Sequence, residues 1–244
     1  MVTKSMEVER GDGARQKLKS PITRGNFLKY SGASLAAAGL ILTGCTTDEA
    51  VDTSAAKTKE STTIDLGSGD TGILNYAYLL EQLEAAFYVM VCTSPYSSMP
   101  AAEKTILDDI RDHELAHRDF FKAAITSGAI PQVEFDFSSV DFTSRTSVLG
   151  TAMAFEDLGV SAYNGAGKLI SNPEYLLLAG KIVSVEGRHA STIRDLIHPF
   201  TAAFAGDDVI TVDTGLDGAK TPTEVLTAAG KYVKATVIFD KLPS

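Results

Sequence analysis

Apolar residues recur every three or four positions through four stretches of this chain, and each stripe is interrupted near its middle by a carboxylate. One stripe runs Leu107, Ile110, Glu114, His117, Phe121, Ala124, and another runs Ala179, Ile182, Glu186, His189, Ile193, Leu196. Glu holds the same heptad position in both, and His follows one turn later on the same face, so the polar side chains point where the apolar ones point. The remaining stripes are Leu74, Tyr78, Glu81, Ala85, Tyr88 and Leu149, Met153, Glu156, Val160, Tyr163. They agree position by position: apolar, bulky, Glu, small or branched, Tyr. Glu81 superposes on Glu156 with an offset of 75, and the two Glu-x-x-His pairs superpose with an offset of 72. The pattern therefore predicts an all-α chain built on a doubled helix pair, at about 70–127 and 145–198.

Turn residues divide the pattern where a bundle needs its connections. Pro95 and Pro100 bracket the first turn, Gly128 and Pro131 stop the second helix, and Ser171-Asn172-Pro173 opens the fourth. Between Ile130 and Thr146 lies the longest link, in which Val133, Phe135, Phe137, Val140 and Phe142 loosely alternate. Such a link can run the length of the bundle as a crossover between helices 2 and 3, leaving those two helices parallel. Past Pro199 the chain reads as loop until Thr221-Pro222-Thr223-Glu224, a capping box that predicts a short fifth helix to about Lys234. The expected organisation is a four-helix bundle at 70–200, with 201–244 packed on it as a loop and short helix. Gly165-Ala166-Gly167-Lys168 lacks phosphate-loop spacing and continues a helix, which points to close packing.

The carboxylates carry the chemistry. An unpaired buried carboxylate costs several kcal/mol or takes up a proton, and a divalent cation compensates it best. Glu81, Glu114, Glu156 and Glu186 with His117 and His189 place four carboxylates and two imidazoles at one level. That donor set suits a pair of hard or borderline cations such as iron or manganese. Glu84, one turn beyond Glu81, is an alternative ligand, although the Tyr spacing shared with Glu156 favours Glu81. Tyr88 and Tyr163 are expected as core aromatics beside the site with satisfied hydroxyls, and His113 as a hydrogen-bonding neighbour at the flank of its stripe. No catalytic residue is expected beyond the metal ligands.

One rival motif overlaps the first pair. His113-Glu114-Leu115-Ala116-His117 matches the His-Glu-x-x-His signature of zinc proteases, but that reading leaves Glu81, Glu156, Glu186 and His189 unexplained. With four His in the chain and no Gly-x-Ser-x-Gly elbow, a Ser-His-Asp arrangement has few candidates. Asp108, Asp109, Asp112 and Asp119 read as a solvated face.

The order Glu, Glu-x-x-His, Glu, Glu-x-x-His on four helices resembles the ferritin-like superfamily. The strings Leu80-Glu81-Gln82-Leu83-Glu84-Ala85-Ala86-Phe87-Tyr88 and Asp112-His113-Glu114-Leu115-Ala116-His117 resemble more narrowly the ferritin-like domain family that includes plant desiccation-related proteins. Carried over position by position, the resemblance implies Glu81 and Glu156 as terminal ligands, Glu114 and Glu186 as metal bridges, and His117 and His189 as one imidazole per metal. It implies two iron or manganese ions and a small oxidant, hydrogen peroxide or oxygen, as reaction partner in stress protection. The alternative from another class is a non-catalytic stress or desiccation-related bundle in which metal only locks the fold.

The N-terminus suggests where such a protein works. Residues 1–29 carry seven basic and three acidic residues, and an apolar run from Ser31 to Leu42 is too short for a permanent span. Leu42-Thr43-Gly44-Cys45 resembles the bacterial lipoprotein box, which implies a signal peptide at 1–44 and a lipid-modified Cys45. Thr23-Arg24-Gly25-Asn26-Phe27-Leu28-Lys29 resembles a twin-arginine signal, with Gly25 where the second Arg stands in that pattern. Residues 45–69 are rich in Thr, Ser, Ala, Asp and Lys without hydrophobic period and read as a flexible tether. The expected location is the bacterial cell envelope, periplasmic or surface-facing. A lipid on every subunit argues against a closed storage cage and for a monomer or dimer. Taking the leader's seven basic and three acidic residues from the chain's 22 and 31 leaves a net charge of −13, which disfavours nucleic acid as a partner.

Overall fold

The computed structural model describes residues 63–243. The expected signal peptide, the expected lipid-bearing Cys45 and most of the expected tether lie outside the described residues. Four long helices follow the four stripes: α1 Gly69–Thr93, α2 Ala101–Ile125, α3 Arg145–Gly167 and α4 Pro173–Ile197. Their ends are set by local chemistry. Pro100 precedes α2, Ser144 caps α3, and Asn172 caps α4 with Pro173 in its first turn. α1 packs chiefly on α2 and α3 on α4, so the molecule is two helical hairpins joined face to face.

The crossover at 129–144 is fixed to α1 by side chains standing in for backbone partners. Asn75, buried in α1, accepts from the Ile130 amide and donates to the carbonyls of Gly128 and Leu66. Two turns on, Gln82 accepts from the Val133 amide and donates to the Pro131 carbonyl. Phe137 and Phe142 then pack against Phe87. The link thus travels along α1 from its start towards its end. At that end Arg145 opens α3 beside the start of α2, pairing with Glu103 and donating to the Leu196 carbonyl. α2 and α3 therefore start together and run parallel, as the crossover predicted. At the opposite end Asp70 accepts from the amides of Ser171 and Asn172 and closes the α3–α4 turn onto α1.

The terminal segments differ from expectation in two places. Thr63–Asp65, expected as tether, is a short strand, β1, paired in parallel with β4, Thr236–Ile238. Ile64 and Leu66 are buried, and that burial draws the tether's end into the domain. The fifth helix, α5, opens on the expected Thr221–Glu224 capping box but closes at Ala229 instead of running to Lys234. A 3-10 turn at Gly230–Tyr232 follows it, and from Val233 the chain extends beside the crossover, where the Lys234 amide donates to the Glu134 carbonyl. The loop beyond Pro199 includes a small hairpin of β2, Ile210–Thr211, and β3, Leu216–Asp217. Buried Arg194 of α4 clamps this region by pairing with Asp157 of α3 and Asp208.

Gly165 lies against the segment that leads into α5. A Cβ there would fall 1.8 Å from the Lys220 carbonyl oxygen, which accounts for the small residue the sequence reading assigned to close packing. Cys92 is half-buried and unpaired, its thiol donating to the Leu107 carbonyl, and burial pushes its pKa up to about 11.

Asn75→Ala orphans one buried amide and removes the donor to two carbonyls, so it is expected to destabilise the domain by about 3 kcal/mol. Chemical denaturation measures this. An unchanged midpoint would show that the amide hooks do not hold the crossover.

Candidate metal centre

Each ligand-type side chain predicted from the stripes reaches one point between the two hairpins. Glu81 comes from α1, Glu114 and His117 from α2, Glu156 from α3, and Glu186 and His189 from α4. All four carboxylates are fully buried. They form two overlapping sets, Glu81, Glu114, His117, Glu186 and Glu114, Glu156, Glu186, His189, whose donor atoms lie within 4.8 Å of one another in each. Glu114 and Glu186 belong to both sets, so they stand where bridging ligands must stand.

The cage has near two-fold symmetry. His117 Nδ1 lies 2.9 Å from Glu186, 3.4 Å from Glu81 and 3.8 Å from Glu114. His189 Nδ1 lies 2.8 Å from Glu114, 3.5 Å from Glu156 and 3.9 Å from Glu186. Exchanging the hairpins maps each contact onto its counterpart to within 0.1 Å. The tyrosines follow the same exchange: Tyr88 of α1 donates to Glu156 of α3, and Tyr163 of α3 donates to Glu81 of α1. Each hydroxyl occupies one oxygen of a terminal carboxylate and leaves the other facing inward.

The inward atoms lack protein partners. Glu81 Oε2, both oxygens of Glu114, His117 Nδ1, Glu156 Oε2, both oxygens of Glu186 and His189 Nδ1 are buried without a hydrogen bond among the described residues. Interiors seldom leave polar atoms unpaired, and eight around one point are the signature of a cation cage. These residues fit a metal centre by that test.

Without a cation, protons must hold the charges apart. Burial opposes the imidazolium of His117, yet Glu114, Glu186 and Glu81 around it raise its pKa to about 12. Burial likewise opposes charge on His189, and Glu114 and Glu156 raise it to about 10. Burial also opposes ionisation of Glu114, but the neighbouring imidazoles of His117 and His189 overcome it and hold that carboxyl at about 2. Glu186, its symmetry counterpart, is pushed well up by burial and then by the charge of Glu114. The bridging pair therefore shares its negative charge. Burial raises Glu81 to about 7, and Glu156 also moves upward from the same cause.

Two candidates fall outside the cage. Glu84 belongs to neither donor set; it lies buried beside Gly159, where burial and then the charge of Glu186 push its carboxyl well above the usual range. The zinc-protease reading also fails on geometry. His113 is exposed, its ring edge to edge with that of His189 and Nδ1 3.0 Å from His189 Nε2, and it joins neither set. The structure also brings out Asn75, Gln82 and Arg194, which a stripe analysis passes over because a lone polar residue on an apolar face carries no periodic signal.

At neutral pH the metal-free cage holds protons on both imidazoles, and a bound cation must displace them. Affinity for a divalent metal is expected to rise with pH by at least roughly a hundredfold per unit near neutrality, with the two imidazole protons and that of Glu186 released. Calorimetry in buffers of different ionisation enthalpy counts those protons. Zero release would show that the imidazoles do not meet the metal. Because both imidazole pKa values are raised, the stabilisation they give the metal-free fold is present below their ordinary value and lost as pH climbs through about 10 to about 12.

No curated protein matches the chain. A family model described as "Ferritin-like domain" matches residues 69–199, which spans all four long helices and every member of the cage. The chain belongs to the ferritin-like domain family.

Proposed function

We propose that the cage binds two iron or manganese ions and that the protein reacts with hydrogen peroxide or oxygen in stress protection at the bacterial cell envelope. The observation that carries this reading is the convergence of eight buried donor atoms without hydrogen bonds, four of them on the two shared carboxylates. Four carboxylates also balance the charge of two divalent cations, which removes the penalty of burying them. When bound, such a pair of ions supplies a reversible change of oxidation state to a small oxidant.

The chain's own residues arrange that encounter. Glu114 and Glu186 keep both oxygens free and tie the two positions together. Tyr88 and Tyr163 hold the outer oxygens of Glu156 and Glu81, so the terminal carboxylates stay turned inward. Tyr163 also lines a cavity of about 20 Å³ with Ile73, Leu74, Tyr76, Leu80 and Phe121. That space admits about one water-sized molecule, which leaves no room there for a large polar substrate.

The envelope assignment is supported by the resemblance of Leu42-Thr43-Gly44-Cys45 to a lipoprotein box. No helix among the described residues is long and apolar enough to cross a membrane, so attachment through a lipid on Cys45 fits that resemblance. The lipid on each subunit favours a monomer or dimer over a storage cage.

Complete burial of all four carboxylates favours a second reading, in which the metal only stabilises the bundle. Protein loaded with iron or manganese is expected to consume peroxide or oxygen, and Glu186→Ala is expected to lower the rate roughly a hundredfold or more while circular dichroism stays unchanged. Metal that raises the melting temperature while both oxidants persist would replace the redox reading with the structural one.

A further inference from the structure

We infer that the two cation positions are unequal in affinity and that His113 is the positioning residue that makes the His189 position the tighter one. The inference rests on the two-cation reading above.

The two halves of the cage match closely, but the match ends one layer out. His189 turns Nδ1 towards Glu114 and Glu156, and its outer nitrogen, Nε2, lies 3.0 Å from His113 Nδ1. The rings lie edge to edge and nearly in one plane, 5.2 Å between centroids with 10° between planes, as an in-plane N–H···N bond requires. An imidazole that gives its Nδ1 lone pair to a cation carries its proton on Nε2, so His189 donates and His113 accepts. That bond selects the binding tautomer, holds the ring angle and makes Nδ1 a stronger donor.

The other half has no equivalent support. The offset of 72 that carries Glu114 onto Glu186 and His117 onto His189 carries His113 onto Val185. The valine side chain has no atom that can accept a hydrogen bond from an imidazole. Among the described residues the position held by His117 therefore has no accepting side chain in place of His113, while its inner contacts match those of its twin to within 0.1 Å. Losing an outer hydrogen bond to a metal-ligating His lowers metal affinity by roughly ten- to a hundredfold, which sets the expected gap between the positions. His113 itself is exposed, so it can be replaced without opening the core.

Titration of the metal-free full-length protein with manganese(II), followed by calorimetry and electron paramagnetic resonance, tests this. The wild type is expected to fill in two resolved steps. Repulsion between two ions would also separate the steps, so the variants decide. His113→Val is expected to weaken the first step roughly ten- to a hundredfold and leave the second nearly unchanged. His113→Asn, which keeps an acceptor, restores part of the gap, and Val185→His strengthens the second step. Identical isotherms for the wild type and His113→Val, with circular dichroism unchanged, overturn the inference and leave the two-cation reading intact. A wild type that takes up fewer than two manganese ions overturns both, and does so before any variant is made.

Discussion

Four carboxylates buried at one level are the constraint around which this molecule is built. Left ionised and unpaired, they would repel one another in a medium that screens poorly, and no helical bundle has the stability to absorb that. The metal-free arrangement shows the cost being spread: imidazoles take up protons, one bridging carboxylate is held ionised at about 2, and its counterpart is pushed upward. A pair of divalent cations would relieve all of these at once. The cage is thus selective by charge before it is selective by shape.

Such a cage has to be rigid, because a shift of one helix by part of a turn would separate the donors. Rigidity comes from bonds that cross between hairpins. The tyrosines of α1 and α3 each hold the other helix's carboxylate, so the two helices cannot slide independently. Asp70 and Arg145 tie the opposite ends of the bundle. Asn75 and Gln82 press the crossover along α1, and Arg194 holds the C-terminal loop onto α3 and α4. None of these contacts touches the inward donor atoms, yet together they set where those atoms stand.

How much of this is legible in the sequence depends on whether a residue repeats. Glu81 with Tyr88 and Glu156 with Tyr163 announce themselves through matched spacing, and Glu-x-x-His does so twice. The helices, the cage membership and the parallel middle pair follow from that. Glu84 against Glu81 was settled only in three dimensions, since both lie on the buried side of α1 and a helix period cannot separate neighbours one turn apart. The strand at Thr63–Asp65 is invisible in composition because three residues carry too little pattern, and its partner lies more than 170 residues away. Arg194 reads as an ordinary helix-surface charge until Asp208 is placed beside it by a loop.

The departures from the repeat deserve the same reading as the repeat itself. With the offset of 75, Gln82 corresponds to Asp157, and the two do different work: one hooks the crossover, the other anchors Arg194. The same offset pairs Glu84 with Gly159. A Cβ at Gly159 would stand 3.0 Å from the Glu84 carboxylate and 3.7 Å from that of Glu186, so the glycine in one half makes room for the extra carboxyl of the other. A second full-sized acid at 159 would crowd one more carboxyl against Glu84 and Glu186. One acid and one glycine is therefore the arrangement that fits both volume and charge. The internal repeat accounts for the symmetric cage, and the positions where its two halves differ give the two sides different surroundings.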